Sequence, residues 1–144
     1  ENLKIIKCEA NPPTESIKTV NSLTNGRVRT LIGWGGIFWK KGVAAGADGL
    51  QPGCGLTDLY LWAERALLAG DLKEFESRLD RFIPQVARWI SNLELLIAAE
   101  KDVLCRRGII ETNYCRNPTV SLDSQTQKEI QEILELVDEV QANV

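Results

Sequence analysis

The fold turns on "LKIIKCEANPPTES", residues 3–16. Leu3 to Cys8 is short, has β-branched Ile5 and Ile6, and is soon cut off by Pro12-Pro13, the pattern of a strand and a break. Alternation along a strand sends Leu3, Ile5, Lys7 and Glu9 to one face and Ile6 and Cys8 to the other. An ammonium is costly to bury in such a run. Lys7 is therefore either an exposed edge-strand side chain or one placed for chemistry.

Outward from this stretch, strand and helix alternate. "PTESIKTVNSLTNG" (13–26) starts with Pro13, carries Ile17, Val20 and Leu23 at helical spacing, and stops at Asn25-Gly26. "VRTLIG" (28–33) reads as a second strand running into "GWGG" (33–36), and "IFWKKGVAAG" (37–46) as a short helix closed by Gly46. "ADGLQPG" (47–53) reads as a third, brief strand. This βαβ spacing predicts a parallel sheet with right-handed crossovers, whose strands are near-continuous apolar runs because both faces are covered.

From Leu56 onward the texture is helical only. "LTDLYLWAERALLAG" (56–70) is predicted to take Thr57 or Asp58 as N-cap and Gly70 as its stop. "DLKEFESRLDRFIPQVARWIS" (71–91) puts Leu72, Phe75, Leu79, Phe82, Ile83 and Val86 on one face, with a kink at Pro84. "NLELLIAAEKDVLCRRG" (92–108) continues to Gly108, and a loop with Tyr114, Cys115 and Pro118 leads to a last amphipathic helix, "SQTQKEIQEILELVDEVQ". Three parallel strands with open flanks are an unfinished sheet, since their edges carry unpaired backbone groups that recruit other chains. Half or less of a (β/α)8 barrel has this layout.

Composition narrows the chemistry. At 144 residues, 44% hydrophobic and 26% charged, the chain reads as one soluble globular domain. A net charge of -3 gives no electrostatic case for a nucleic-acid or membrane-surface partner, and no apolar run approaches a membrane span or opens the chain as a signal peptide. Without a histidine, Ser-His and Cys-His catalysis are excluded and a zinc site is not expected; no cofactor is called for. Cys8, Cys54, Cys105 and Cys115 form no C-x-x-C pair and read as reduced, mostly buried thiols of a cytoplasmic protein. Any general acid or base must be Lys, Glu, Asp, Tyr or Cys. The lack of methionine, and Glu1 directly before a strand-like run, read as the start of a fragment.

"NLKIIKCEANPPTESI", "LIGWGGIF", "AAGADGLQPGCGLTDLYLWAERALLAGD" and "LLIAAEKDVLCRRGII", in this order and spacing, resemble the C-terminal half of the dihydrodipicolinate synthase / N-acetylneuraminate lyase superfamily. The resemblance runs from Asn2 to the last helix. It implies that residues 1–55 are strands six to eight of a TIM barrel, and that 56–144 hold the last barrel helix and a C-terminal helical extension. These are class I lyases of aldolase type, so it implies that Lys7 forms a Schiff base with pyruvate or a related 2-keto acid. Strand alternation agrees: with Ile6 and Cys8 under the outer helices, Lys7 points inward near the C-terminal mouth where such barrels do chemistry. A low-dielectric interior would favour the free amine that attacks a carbonyl.

The same resemblance implies that Gly33 makes room for substrate and that the Gln51 backbone carbonyl lies close to the bound keto acid. Glu9 is either a carboxylate that orients groups or carries protons at the mouth, or a solvated end of the strand. Trp34 is either an apolar wall of the site or core packing; "GWGG" stands where the family more often has glycine followed by acidic residues. Gly53 and Gly55, before the helix at Thr57, form an anion site for a carboxylate or phosphate. Lys101, Arg106 and Arg107 read as solvated or helix-end residues. The family's catalytic tyrosine and hydroxyl-bearing carboxylate-binding motif belong to its N-terminal half, and Tyr60 and Tyr114 do not match them, so the isolated chain is expected to be incomplete and inactive. A homo-oligomer is expected. Sugar-acid dehydration within the same superfamily, or a non-catalytic half-barrel that serves assembly, are the alternatives.

Overall fold

A computed structural model describes residues 2–142. They form two compact units, one up to Pro52 and the other from Gly53.

In the first unit, β1 (Ile5–Cys8), α1 (Pro13–Thr24), β2 (Arg29–Ile32), α2 (Trp39–Ala44) and β3 (Gly49–Leu50) follow in order. The sheet order is β1-β2-β3 and both pairings are parallel, as the alternation predicts. Lys7 stands opposite Leu31, Cys8 opposite Ile32, and Ile32 opposite Leu50. Each ladder is shorter than the apolar run that encodes it, most of all β3.

The helix-facing side holds the core. Cys8, Ile17 and Ile32 are buried together, with Ile6, Phe38 and Leu50 packed against them. On α1 the expected apolar face is narrower than predicted: Ile17 is buried, while Leu23 is 78% exposed. Six residues carry a side chain about 120° away around a helix of ~3.6 residues per turn, so Leu23 leaves the face that Ile17 starts. Asn25 (φ 50°) and Gly26 (φ 70°) end α1 in the left-handed region, as the Asn-Gly pair predicts. α2 lies directly on β2, because a β-carbon on Gly42 would come within 2.5 Å of Ile32 Cγ1.

The second unit holds α3 (Thr57–Leu68), α4 (Leu72–Asp80), α5 (Ile83–Ile90), α6 (Leu93–Arg106) and α7 (Ser124–Ala142). α3 packs on α4 and α7, and α6 on α5 and α7. Phe75, Leu79, Phe82, Val86, Trp89, Ile130 and Ile133 are buried between them. Two local expectations are corrected. Pro84 does not kink one long helix; it sits in the first turn of α5, where its missing N–H costs nothing, and α4 has already ended at Asp80. Neither Thr57 nor Asp58 caps α3. The chain enters through a 3-10 turn at Cys54–Leu56, the Thr57 hydroxyl donates to the Cys54 carbonyl, and Asp58 pairs with Arg107. Caps appear instead at Asp71, Asn92 and Asp123, whose side chains accept the N–H groups of Glu74, of Glu94 and Leu95, and of Thr126.

One buried polar cluster ties α5 to α7. Glu129 takes bonds from Arg88 Nε, at 2.7 and 2.8 Å to its two oxygens, and from the Trp89 indole at 2.7 Å. Burial pushes the Glu129 carboxyl up, and the bonds from Arg88, Gln125 and Trp89 together outweigh it and hold it below the ordinary range.

The contact of α2 with β2 gives the first prediction. Gly42→Ala should force α2 off Ile32 and cost about 1–3 kcal/mol, as overpacking does. Urea unfolding followed by circular dichroism checks it, and an unchanged midpoint would show that α2 shifts freely.

Candidate active site

The C-terminal ends of the three strands converge. Beyond the ladder, the Gly33 N–H donates to the Cys8 carbonyl at 3.3 Å and the Gln51 N–H to the Ile32 carbonyl at 2.8 Å. Continuing the register, Glu9, Gly33 and Gln51 form the next cross-strand row, just above Lys7, Leu31 and Gly49. Both rows lie on the face turned away from the Cys8–Ile32 core, because side chains alternate. Four of the residues singled out from the sequence, Lys7, Glu9, Gly33 and Trp34, are joined here by contact; Gln51 stands beside them on β3 with an exposed side chain.

Lys7 is not enclosed by the described residues; its side chain is 38% exposed, and its ammonium lies 3.2 Å from Glu9 Oε1. The same carboxylate oxygen accepts the backbone N–H of Trp34 at 3.2 Å, while the Trp34 indole N–H donates to the Glu9 backbone carbonyl at 2.7 Å. Glu9, half-exposed, is thus bonded both to Lys7 and to the Trp34 backbone. Trp34 N–H holds its carboxyl below the ordinary range; slight burial opposes this, and Lys7 adds to it.

Gly33 explains how the carboxylate gets there. A β-carbon on Gly33 would overlap the Glu9 side chain, lying 2.5 Å from its carboxyl carbon. The space that the resemblance reserves for substrate is filled in this chain by Glu9. The turn that follows is left-handed: Trp34, Gly35 and Gly36 have φ of 51°, 55° and 76°. For a tryptophan that conformation costs roughly 1–2 kcal/mol, which its two bonds to Glu9 offset. Trp34 is half-buried.

The glycines at 53 and 55 also meet a carboxylate from this chain. A side chain on Gly53 would overlap the Glu100 carboxylate, and Gly55 N–H bonds to it. Burial pushes the Glu100 carboxyl up against that bond; burial, with the Glu100 charge second, also pushes the Tyr60 phenol up. The expected anion site is occupied internally. Arg107 departs from the solvated role as well: its side chain is 13% exposed and bonds the Gly55 carbonyl and Asp58. Of the four thiols, all unpaired, only Cys8 is buried and Cys54 is exposed, which corrects the mostly buried reading. Among the described residues no group of three or more His, Cys, Asp or Glu side chains is arranged for a metal ion, and no helix is long and apolar enough to cross a membrane.

No protein-family model and no curated protein sequence matches the chain. Solved structures do. The crystal structure of dihydrodipicolinate synthase from Rhodopseudomonas palustris is similar over 91% of this chain and 44% of its own, with a TM-score of 0.79 and 24% identity. The fold is that of part of a dihydrodipicolinate synthase. A provisionally assigned dihydrodipicolinate synthetase from Pseudomonas aeruginosa is similar over 85% of this chain and 42% of its own, with a TM-score of 0.68 and 22% identity. The chain therefore spans less than half the length of either synthase, and its three parallel strands correspond to part of a TIM barrel.

The K-x-E spacing already put the amine and the carboxylate on one strand face. What it did not reveal is that Gly33, 24 positions beyond Glu9 and opposite it across the strands, is the floor on which the carboxylate lies.

The Glu9–Trp34 bond gives the second prediction. Titrated by NMR, the Trp34 backbone amide should report Glu9 with a midpoint below the ordinary glutamate value of about 4.3. The depressed value means that stability from this contact is present above the unfolded value and is lost as pH falls through the folded one. Lys7→Ala should raise the midpoint; an amide insensitive to pH would refute the bond.

Proposed function

We propose that this chain is the C-terminal part of a class I lyase of the dihydrodipicolinate synthase / N-acetylneuraminate lyase superfamily, with Lys7 as its Schiff-base lysine. The substrate is pyruvate or a related 2-keto acid. One observation carries the reading: an amine sits at the C-terminal end of a parallel strand, on the face away from the helices, in a fold shared with dihydrodipicolinate synthases. In (β/α)8 barrels that end of the strands is where chemistry takes place.

In this reading the residues divide the task as follows. Lys7 attacks the keto carbon and holds it as an imine, which acts as the electron sink for aldol addition, cleavage or dehydration. Gln51 offers its backbone carbonyl at the neighbouring strand end, and Trp34 forms one wall of the mouth. The rest of the barrel, and the groups that bind the substrate carboxylate, belong to the half of the enzyme that precedes these strands. The protein works in the cytoplasm as a homo-oligomer, without a cofactor. Exposed Leu3 (57%) and Ile5 (52%) on the β1 side favour a second reading, a half-barrel whose open edge serves assembly.

Borohydride reduction of the natural full-length protein with a panel of 2-keto acids separates the two. The lyase reading expects one added reduced-imine mass, mapped to Lys7, and its complete loss in Lys7→Ala with the fold retained. No adduct, or an adduct on another lysine, would overturn it in favour of the assembly module.

A further inference from the structure

The Lys7 ammonium is not alone at the strand ends: a carboxylate is built in beside it, and Gly33 and Trp34, adjacent residues just past β2, hold that carboxylate in place. Glu9 Oε1 lies 3.2 Å from Lys7 Nζ, Gly33 has no β-carbon and so leaves the volume that the Glu9 side chain fills, and the Trp34 N–H donates to the same oxygen at 3.2 Å. The Trp34 indole, bonded to the Glu9 carbonyl at 2.7 Å, fixes the backbone from which the carboxylate is carried. A solvated strand-end glutamate would need none of these. An ion pair this exposed contributes little to stability.

We propose that Glu9 is a catalytic residue, the proton carrier for imine formation at Lys7, with Gly33 and Trp34 as its positioning residues; this rests on the Schiff-base reading of Lys7. The proton balance closes on one carboxylate. Glu9 first takes a proton from the Lys7 ammonium. The freed amine lone pair then forms the C–N bond to the keto carbon, and the carbonyl π pair moves onto oxygen. Glu9 returns its proton to that oxygen, giving the carbinolamine, and next removes a proton from the nitrogen. It delivers this second proton to the hydroxyl as the C–O bond breaks and the nitrogen lone pair forms C=N. Water leaves, the iminium carries the positive charge that the ammonium began with, and Glu9 ends as the carboxylate it was. No oxidant or co-reactant is consumed.

Trp34 N–H and Lys7 favour the charged carboxylate, so Glu9 stands ionised beside the ammonium as a weak base and, once protonated, gives the proton up readily to the more basic oxygen. The finished iminium keeps the neighbouring carboxylate as its counter-ion.

The test is rapid-quench borohydride trapping with pyruvate in the natural full-length protein, comparing wild type, Glu9→Gln and Glu9→Ala. The glutamine variant keeps an acceptor for Trp34 N–H and loses only the proton. It should reach the same final label on Lys7 about 100-fold more slowly, within the usual range for general acid–base catalysis, and lose the acid limb of the pH–rate profile. Added formate, which fits the space vacated above Gly33, should restore much of the rate in Glu9→Ala. Labelling of Glu9→Gln at the wild-type rate would overturn the proposal while leaving the Lys7 imine intact. So would slowing that formate does not relieve and that leaves the pH profile unchanged, since the carboxylate would then only shape the turn. A wild type that takes no label would instead remove the Schiff-base reading, and this proposal with it.

Discussion

The strand ends depend on the absence of one carbon atom. Gly33 lacks a β-carbon, and the Glu9 side chain lies in the volume one would fill. From that vacancy follow the carboxylate beside the Lys7 amine, the acceptor for Trp34 N–H, and the anchor that keeps a tryptophan in a left-handed conformation. Packing thus sets the electrostatics here. Gly33 leaves the room, and the Trp34 N–H and the Lys7 ammonium engage the carboxylate that enters it.

The helical unit uses the same device. Glu100 lies against Gly53 and Gly55 at the turn that opens α3, and takes the Gly55 N–H. The two cases differ in what the carboxylate gains. Glu9 is half-exposed and paired with an amine, which favours its charge, whereas burial works against the charge of Glu100. One is an ion pair at the end of a sheet; the other is a support beneath a helix start. A glycine cluster before a helix signals space for an anion, and here the anion is a side chain of the same chain.

Much of the fold was legible because its signals are local. Alternation in Leu3 to Cys8, the Asn25-Gly26 stop and the stops at Gly70 and Gly108 each depend on a few neighbouring residues, and the parallel order follows from the spacing between them. Errors arose where a local signal had two outcomes. Pro84 suits a helix's first turn as well as a kink, and Thr57 and Asp58 lost the cap because a 3-10 turn already leads into α3 and Arg107 engages Asp58. At the site, strand periodicity put Lys7 and Glu9 on one face. Nothing periodic links Glu9 to Gly33 and Trp34, or Glu100 to Gly53, because those contacts cross from one segment to another and exist only once the chain has folded.

The pair at positions 9 and 33 also bears on what the strand ends can become. A side chain at 33 meets the Glu9 carboxylate, which ends a half-exposed, flexible side chain and can swing away. The cost of a larger residue at 33 therefore falls on the contacts with Lys7 and Trp34 that the carboxylate would leave. The two positions trade room for charge: filling the space at 33 strips the lysine of its counter-ion without replacing Glu9.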